Sequence, residues 1–320
     1  MTDPNIELIR QRSDLLRELR EFFQSRGFLE VQPPCLSQDC VVDAYIDPIA
    51  VGSDQFQLGI DLPANFFLQT SPEAAMKRLL AAGAPSIYSL GPVFRAGERG
   101  AFHNIEFTML EWYDVGANID SGIKLLSDLI CELLPYDSCD VKSYRELFAS
   151  SLGIDPITCS TDELLRQVKQ VDSFELKETS DRDLLLDVLM SHTIQPTLGH
   201  DRPVVVRNYP LSQAALARQA SDDVDCAARF ELFVDGIELA NGYDELCDAE
   251  ILLSRAASAN QQRSERGRSR LMEETSLVKT MRSSGLPACA GVAMGVDRLL
   301  MVRTGKKSIE KVIPFPIEIA

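Results

Sequence analysis

Arg95-Ala-Gly-Glu-Arg-Gly-Ala-Phe-His-Asn-Ile-Glu-Phe-Thr-Met-Leu-Glu-Trp-Tyr113 is the stretch on which the interpretation of the whole chain depends. It begins with an arginine, passes through a polar turn that contains glycine, and then largely alternates polar with apolar residues from Asn104 onwards. This pattern predicts a hairpin whose second strand lines a site. An ordinary hairpin with solvated charges is the alternative, and features elsewhere in the chain decide between the two.

The composition is that of a globular protein, with 320 residues and a net charge of −16. Binding to nucleic-acid phosphates draws on clustered lysine and arginine, and the sequence has no long basic run. A broad nucleic-acid surface is therefore not expected. One short basic cluster, at residues 263–270, is interpreted as a solvated helix end.

The eight cysteines are scattered, and none forms a Cys-x-x-Cys pair. The N-terminal residues lack the basic and apolar regions of an export signal. No apolar run approaches the roughly 18 residues that a membrane helix needs. We therefore expect free thiols, a cytoplasmic location, no zinc site and no membrane partner.

The order of elements predicts an α+β fold with a mostly antiparallel sheet flanked by helices. A helix at 5–26 leads into a strand at 28–32, which Pro33-Pro34 stops, so this strand is expected at a sheet edge or a subunit contact. Residues 142–200 are expected to be a helical insertion. The other elements share clear periodicity and end signals: strands at 66–70, 86–93, 104–113, 203–209, 228–240 and 291–295, and helices at 73–83, 118–135, 248–268, 273–284 and from 296.

Two glutamates near a predicted turn suggest a metal site. Glu231 and Glu238 are an odd number of residues apart, so they would face opposite ways in an unbroken strand. A turn at Asp235-Gly236 removes this objection because it brings the two glutamates together across a hairpin. Hard oxygen ligands of this kind suit Mg²⁺ carried by a nucleotide.

Two arginines from distant parts of the chain, Arg95 and Arg298, suit a polyphosphate that is bound at both ends. Gly291 and Gly295 would let a ligand approach the main chain closely. Together with the carboxylates, these residues favour a nucleotide site over an ordinary hairpin.

The chain resembles the class II aminoacyl-tRNA synthetases. Its first helix, strand and Pro-Pro are similar to motif 1, residues 94–111 to motif 2, and residues 291–298 to motif 3. Thr70-Ser-Pro-Glu73, residues 103–113 and residues 236–246 resemble the catalytic core of the lysyl-tRNA synthetases in particular.

Motif 1 begins at about residue 5, so we expect no anticodon-binding domain and a single catalytic domain over residues 1–320. A short chain of lysine type resembles the elongation factor P lysyltransferases. That resemblance implies ATP-dependent activation of a lysine, its transfer to a lysine side chain of elongation factor P, and a homodimer formed through motif 1. Two alternatives remain open: an enzyme that acts on tRNA or a small amine, and a non-catalytic regulatory subunit.

The resemblance also implies the roles of the nucleotide-site residues. Arg95 would neutralise the α-phosphate, and Arg298 would hold the γ-phosphate and cover one face of the adenine. Phe107 would stack on the other face, and Glu231 and Glu238 would hold Mg²⁺. Arg95 and Arg298 are the expected catalytic residues. The further ATP contacts that the resemblance implies are Ala96, Gly97, Glu98, His103, Asn104, Glu238, Leu239 and Gly295.

The amines of the lysine substrate need anionic partners. The resemblance assigns Glu73 to the backbone-side amine, and Glu245 with Tyr113 to the far ammonium, with Glu111 as a further candidate. The other residues expected to line the pocket are Ser71, Pro72, Asn241, Tyr243 and Ala293. Aromatic residues such as Tyr243 have a plain alternative as core.

The sequence departs from the family pattern at two places. Motif 2 usually reads Arg-Asn-Glu, and its Glu contacts the adenine amine, whereas this chain has Arg95-Ala96-Gly97 followed by Glu98. Either Glu98 takes over that contact or main-chain groups replace it. Ala293 stands where lysyl-tRNA synthetases commonly have glycine, and the extra methyl favours β-lysine, specifically (R)-β-lysine, over α-lysine.

Overall fold

The structure, a computed structural model, describes residues 5–171 and 181–320. The helices are α1 (Ile6–Ser25), α2 (Glu73–Ala81), α3 (Ile119–Leu133), α4 (Tyr144–Leu152), α5 (Thr161–Val168), α6 (Arg182–Leu189), α7 (Ala249–Glu265), α8 (Ser276–Ser284) and α9 (Val296–Thr304). The strands are β1 (Leu29–Glu30), β2 (Leu36–Ser37), β3 (Ile49–Gly52), β4 (Asn65–Leu68), β5 (Ile87–Phe94), β6 (Glu106–Val115), β7 (Asp140–Ser143), β8 (Val204–Pro210), β9 (Cys226–Val234), β10 (Ile237–Asp244) and β11 (Cys289–Gly295). The predicted order of helices and strands is confirmed, with ends that shift by a few residues.

The chain divides into two compact units. Unit 1 comprises Met1–Gly116 and Leu246–Ala320, and unit 2 comprises Ala117–Glu245. Most strand pairs in each unit are antiparallel, and helices pack against the strands. The predicted α+β class is therefore confirmed.

In unit 1, strands follow the order β1-β5-β6-β11, with β1 parallel to β5 and the other pairs antiparallel. The edge position of β1 agrees with the prediction from Pro33-Pro34, but the strand is shorter than the predicted 28–32. A three-stranded antiparallel sheet, in the order β2-β4-β3, completes the strands of this unit. The strand predicted at 66–70 is β4, but its residue pattern of adjacent aromatics suggests a buried strand, whereas Phe66, Phe67 and Leu68 are only half-buried in this small sheet.

One face of β5 and β6 is the aromatic core of unit 1. The Phe23 ring on α1 stacks on Tyr88 at 5.0 Å between centroids and lies 5.1 Å from Trp112. Tyr88 and Trp112 are directly opposed across the two strands. Side chains alternate along a strand, so the residues directly before and after Tyr88 and Trp112 point to the other face of the sheet. The candidate site lies on that face.

The interpretation of residues 263–270 as a solvated helix end is wrong for its first residue. Arg263, near the end of α7, is 2% exposed. Its guanidinium donates to main-chain oxygens of Asp43 and Ile46 and to the Asp47 carboxylate. A buried guanidinium needs hydrogen-bond acceptors, and the loop at residues 43–47 provides them.

In unit 2, strands follow the order β10-β9-β8-β7, and β7 is parallel to β8. The predicted turn between β9 and β10 is confirmed, because Asp235 and Gly236 have φ values of 50° and 72°. The described part of the predicted helical insertion contains α4, α5 and α6, which pack with β8 and β9 around Tyr144, Leu185 and Phe233. The rest of the predicted insertion, residues 172–180, lies outside the described residues.

All eight cysteines lie in the described ranges and carry free thiols. Within residues 5–171 and 181–320, no helix combines the length and the apolar character that crossing a bilayer requires.

Candidate active site

In unit 1, one face of the sheet carries Glu111 between small residues. The register places Glu111 opposite Ser89 on β5 and Ala293 on β11. Tyr113 follows on the same face, opposite Gly291. The neighbours of Glu111 and Tyr113 at these three positions therefore have small side chains or none.

Glu111 is the centre of a buried hydrogen-bond network. Its side chain accepts from the Ser71 hydroxyl at 2.7 Å and from the Tyr113 hydroxyl at 2.6 Å. The residue is 2% exposed. Burial, followed by the charge of Glu73, raises the pKa of Glu111 to about 7. Ser71, Glu111 and Tyr113, all predicted as pocket residues, are thus in direct contact.

Glu73 already has a cationic partner. The Lys77 ammonium lies 2.5 Å from the Glu73 carboxylate, one helical turn along α2, and both side chains are buried. Lys77 also lies 5.7 Å from the centre of the Tyr113 ring. The sequence analysis missed Lys77, although the i, i+4 spacing from Glu73 was a visible signal. A substrate amine at Glu73 would therefore share this carboxylate with Lys77.

The start of α2 positions Glu73. Pro72 is the residue that precedes the helix, and the Ser71 hydroxyl accepts from the Glu73 amide at 3.0 Å. Ser71 thereby joins the beginning of α2 to Glu111, so the two acidic residues are held by one hydroxyl.

Arg95 and Phe107 are brought together beside this network. Phe107 lies opposite Val93 and, by strand alternation, on the same face as Glu111. The Arg95 guanidinium carbon is 5.1 Å from the Phe107 ring centre, and its Nε donates to the Thr70 carbonyl at 3.4 Å. The predicted α-phosphate cation and the predicted adenine-stacking ring therefore lie next to each other, in cation–π contact.

Arg298 and His103, each predicted as an ATP contact, lie side by side in the structure. Arg298 lies in the first turn of α9, and its guanidinium is 2.7 Å from His103 Nε2. Its Nε donates to the Phe102 carbonyl at 3.2 Å. Gly295 immediately precedes this helix and is opposite Met109 on β6.

Asp297 fixes the position of Arg298, and the sequence analysis missed it. The Asp297 carboxylate is 1% exposed and accepts from the Thr108 amide at 2.7 Å and from Arg12 at 2.5 Å. Arg12 also donates to the Thr108 hydroxyl at 2.6 Å. Helices α1 and α9 and strand β6 are therefore joined at the residue that precedes Arg298.

The turn in which the sequence leaves the family pattern is anchored by its main chain. The Ala96 amide donates to the Asp47 carbonyl at 2.8 Å, and Gly97 has φ +75°. Glu98 lies 3.7 Å from Arg95, so its carboxylate is engaged beside the expected α-phosphate site.

Asn104, a predicted ATP contact, lies just before β6, and its side chain forms hydrogen bonds with the main chain. It is 4% exposed, its amide donates to the Glu106 carbonyl at 2.7 Å, and its oxygen accepts from the Ile317 amide at 3.4 Å. These contacts hold the hairpin to the C-terminal segment, and a contact with ATP stays a prediction.

In unit 2, the β9–β10 hairpin carries the predicted metal ligands on one face. Glu238 lies opposite Phe233, and Asn241 lies opposite Glu231. The register shifts between Glu238 and Ala240, and this irregularity turns Glu238 and Asn241 to the same face. The hairpin thus brings the two glutamates together, as the Asp235-Gly236 turn predicts.

Glu231 is held by two donors that the sequence analysis missed. Its carboxylate accepts from the Tyr209 hydroxyl at 2.5 Å and from the Arg229 guanidinium. Burial raises the pKa of Glu231, the charge of the Arg229 guanidinium lowers it, and the neighbouring charge of Glu238 raises it again. A cation beside the two carboxylates would relieve this repulsion, so their donor chemistry fits Mg²⁺. Within residues 5–171 and 181–320, no group of three or more His, Cys, Asp or Glu is placed to hold a metal ion, so Glu231 and Glu238 would act as a pair of carboxylate ligands.

The remaining predicted pocket residues of unit 2 lie along β10 and directly after it. Asn241 donates to the Tyr243 hydroxyl at 2.8 Å and accepts from Arg229 at 3.3 Å. Leu239 and Glu245 are buried. Tyr243 therefore belongs to a polar network, which sets it apart from plain core.

The sequence that forms both sets of contacts matches a known protein family over nearly its whole length. Residues 2–319 match the family model described as tRNA synthetases class II (D, K and N). The chain belongs to this family.

Among curated proteins, this class II synthetase-type chain is similar to proteins named elongation factor P–(R)-β-lysine ligase. The ones from Yersinia pestis (strain Pestoides F) and Yersinia pseudotuberculosis (serotype O:3, strain YPIII) are each 38% identical to it over 314 residues. The alignment covers 97% of this chain and 95% of each relative. The mostly antiparallel sheet is accordingly that of a class II synthetase domain, with motif 2 on β5 and β6 and motif 3 on β11 and α9.

Proposed function

We propose that the chain is an AMP-forming ligase that activates a lysine with ATP and transfers it to a lysine side chain of elongation factor P. The observation that carries the proposal is Glu111. It is a buried carboxyl group among small residues, on the same sheet face as the Arg95–Phe107 pair. A pKa near 7 lets this group ionise when a substrate ammonium arrives beside it. The curated relatives are named elongation factor P–(R)-β-lysine ligase, which supports a ligase that acts on these two substrates.

The first step needs no nucleophile from the protein. A carboxylate oxygen of the substrate attacks the α-phosphorus of ATP, the bond to pyrophosphate breaks, and an aminoacyl-adenylate forms. Arg95 stabilises the charge that develops on the α-phosphate, and Arg298 holds the γ-phosphate. When bound at Glu231 and Glu238, Mg²⁺ neutralises charge on the phosphates.

The second step forms an amide. The acceptor ε-amine, once it has lost its proton, attacks the adenylate carbonyl carbon, and AMP leaves with the bonding electrons. The site contains buried and partly buried arginines and carboxylates that position the reactants. Catalysis is then positioning and charge stabilisation by fixed groups.

The substrate that we propose is (R)-β-lysine. Ala293 lies directly opposite Glu111, so its methyl group narrows the space beside that carboxyl. This favours an amine that is displaced by one carbon along the substrate. The names of the curated relatives support the assignment.

We further propose a homodimer formed through motif 1, with one catalytic domain at residues 1–320 and a helical insertion at 142–200. Three large apolar side chains in and after α1 support the dimer, because Ile6, Ile9 and Leu29 are 61%, 38% and 52% exposed. Sedimentation of the intact chain tests it, and a monomer at micromolar concentration would contradict it. The cytoplasmic location stays a prediction.

Pyrophosphate exchange into ATP tests the activation step. We expect exchange that depends on a lysine isomer and is faster with (R)-β-lysine than with α-lysine. Exchange that is clearly faster with α-lysine would overturn the substrate assignment, and no exchange with either isomer would overturn the proposed activity.

A further inference from the structure

A buried arginine clamps a loop next to the motif 2 turn. Arg263 donates to the Asp47 carboxylate at 2.6 Å and to the carbonyls of Asp43, Ile46 and Ser269 at 3.0, 3.1 and 2.8 Å. Its side chain is 3% exposed. A guanidinium with four acceptors in a buried setting has little freedom to move, so the loop that supplies three of them is fixed.

The clamped loop in turn holds the motif 2 turn. Asp47 and Ala96 form an isolated antiparallel bridge, in which the Ala96 amide donates to the Asp47 carbonyl at 2.8 Å. Arg268 completes the clamp, because its guanidinium lies 3.1 Å from the second Asp47 oxygen and donates to the Tyr45 carbonyl at 2.7 Å. Contacts therefore run from α7 and the residues after it, through Asp47, to Ala96.

The turn needs such an anchor because Ala96 and Gly97 offer no polar side chain, and the Glu98 carboxylate already lies 3.7 Å from the Arg95 guanidinium. Ala96 and Gly97 have no side-chain group that could bind a purine, and Gly97 adopts φ +75°. With Glu98 engaged by Arg95, the main chain of Ala96 and Gly97 is what this turn offers to the adenine. Glycine gives the unliganded turn many conformations, and ordering them on binding would cost affinity.

We propose that Asp47, clamped by Arg263 and Arg268, is a positioning residue that fixes the Ala96-Gly97-Glu98 turn for main-chain recognition of the adenine. The inference rests on the proposed function, because it takes the nucleotide to be ATP bound at motif 2. It assigns the adenine selectivity of this site to a carboxylate outside the three motifs.

Substitution of the clamp tests the proposal through purine selectivity. In Asp47→Ala, the KM for ATP in pyrophosphate exchange rises about 5- to 10-fold, the loss expected when a hydrogen-bonded anchor is removed. The preference for ATP over GTP falls by a similar factor, while the KM for lysine changes less than about twofold. Asp47→Asn keeps one acceptor oxygen, so its KM for ATP and its preference for ATP over GTP lie between those of the original chain and those of Asp47→Ala.

A matched control separates positioning from general loosening. Glu18→Ala breaks an ion pair between Glu18 on α1 and Arg303 on α9, in the same unit. Both of these side chains are 33% exposed. It leaves the ATP-over-GTP preference unchanged. An unchanged preference in Asp47→Ala, or an equal loss of preference in Glu18→Ala, overturns the proposal.

Two further measurements keep the outcome unambiguous. Arg268 is the more exposed of the two arginines that hold Asp47, so Arg268→Gln leaves no buried cavity. This variant also has a lower preference for ATP over GTP than the original chain. Calorimetric titration of ATP and GTP reads the turn without any lysine. If the intact protein shows no lysine-dependent exchange yet binds ATP over GTP, and Asp47→Ala loses that preference, the proposed function fails and the clamp stands.

Discussion

The variant Glu111→Gln isolates the contribution of the buried Glu111 carboxyl to the pH dependence of the free energy of unfolding. With a pKa of 4.5 in the unfolded chain and about 7 in the folded one, the native state holds this proton more tightly. The stabilisation is complete below pH 4.5 and is lost as the pH rises through 7. Integrating the linkage relation from pH 5 to pH 8 gives a loss of roughly 2–3 kcal/mol from this one group.

The assay is urea unfolding of the original chain and of Glu111→Gln at pH 5, 6, 7 and 8. Glutamine does not titrate, so the variant lacks this pH-dependent component, while its altered hydrogen bonds add a constant offset. We expect the free energy of unfolding of the variant, relative to the original chain, to increase by roughly 2–3 kcal/mol over this range. A relative stability that stays flat from pH 5 to pH 8 would refute the reasoning.

The same network supplies a matched variant. Tyr113→Phe removes a hydrogen bond that lowers the pKa of Glu111, so the loss of stability should move to higher pH. A shift to lower pH would contradict the placement of Tyr113 in the network.

Three other substitutions test separate parts of the account. Ala293→Gly should move the preference in pyrophosphate exchange towards α-lysine, and an increased preference for (R)-β-lysine would contradict the role of its methyl group. Asp297→Asn should lower the free energy of unfolding by about 2–3 kcal/mol, because Arg12 loses its buried partner, and urea unfolding measures this. Arg298→Ala should abolish exchange while the protein stays folded by circular dichroism; intact exchange would show that the ATP-site assignment is wrong.

The sequence predicts those parts of the fold and site that are encoded by nearby residues. Alternation from Asn104 onwards predicts β6, and Asp235-Gly236 predicts the hairpin that joins Glu231 to Glu238. In each case, the residues that form the structure are close in sequence, so period and turn chemistry suffice.

Contacts between distant residues were beyond such reasoning. The sequence around Arg263 indicates a solvated cation, because three of its four acceptors lie more than 210 residues earlier in the chain. The same holds for Arg12, whose partner is Asp297 on another helix. Charge and spacing along the chain do not report burial, and burial decides what these side chains do.

The mass of elongation factor P most directly tests the central claim. The factor and, separately, tRNA are incubated with this chain, ATP and (R)-β-lysine, and each acceptor is then weighed by mass spectrometry. The account predicts that elongation factor P alone gains the mass of one lysine residue, on a lysine side chain, and that the gain requires ATP. A mass gain on tRNA with none on elongation factor P would contradict the account.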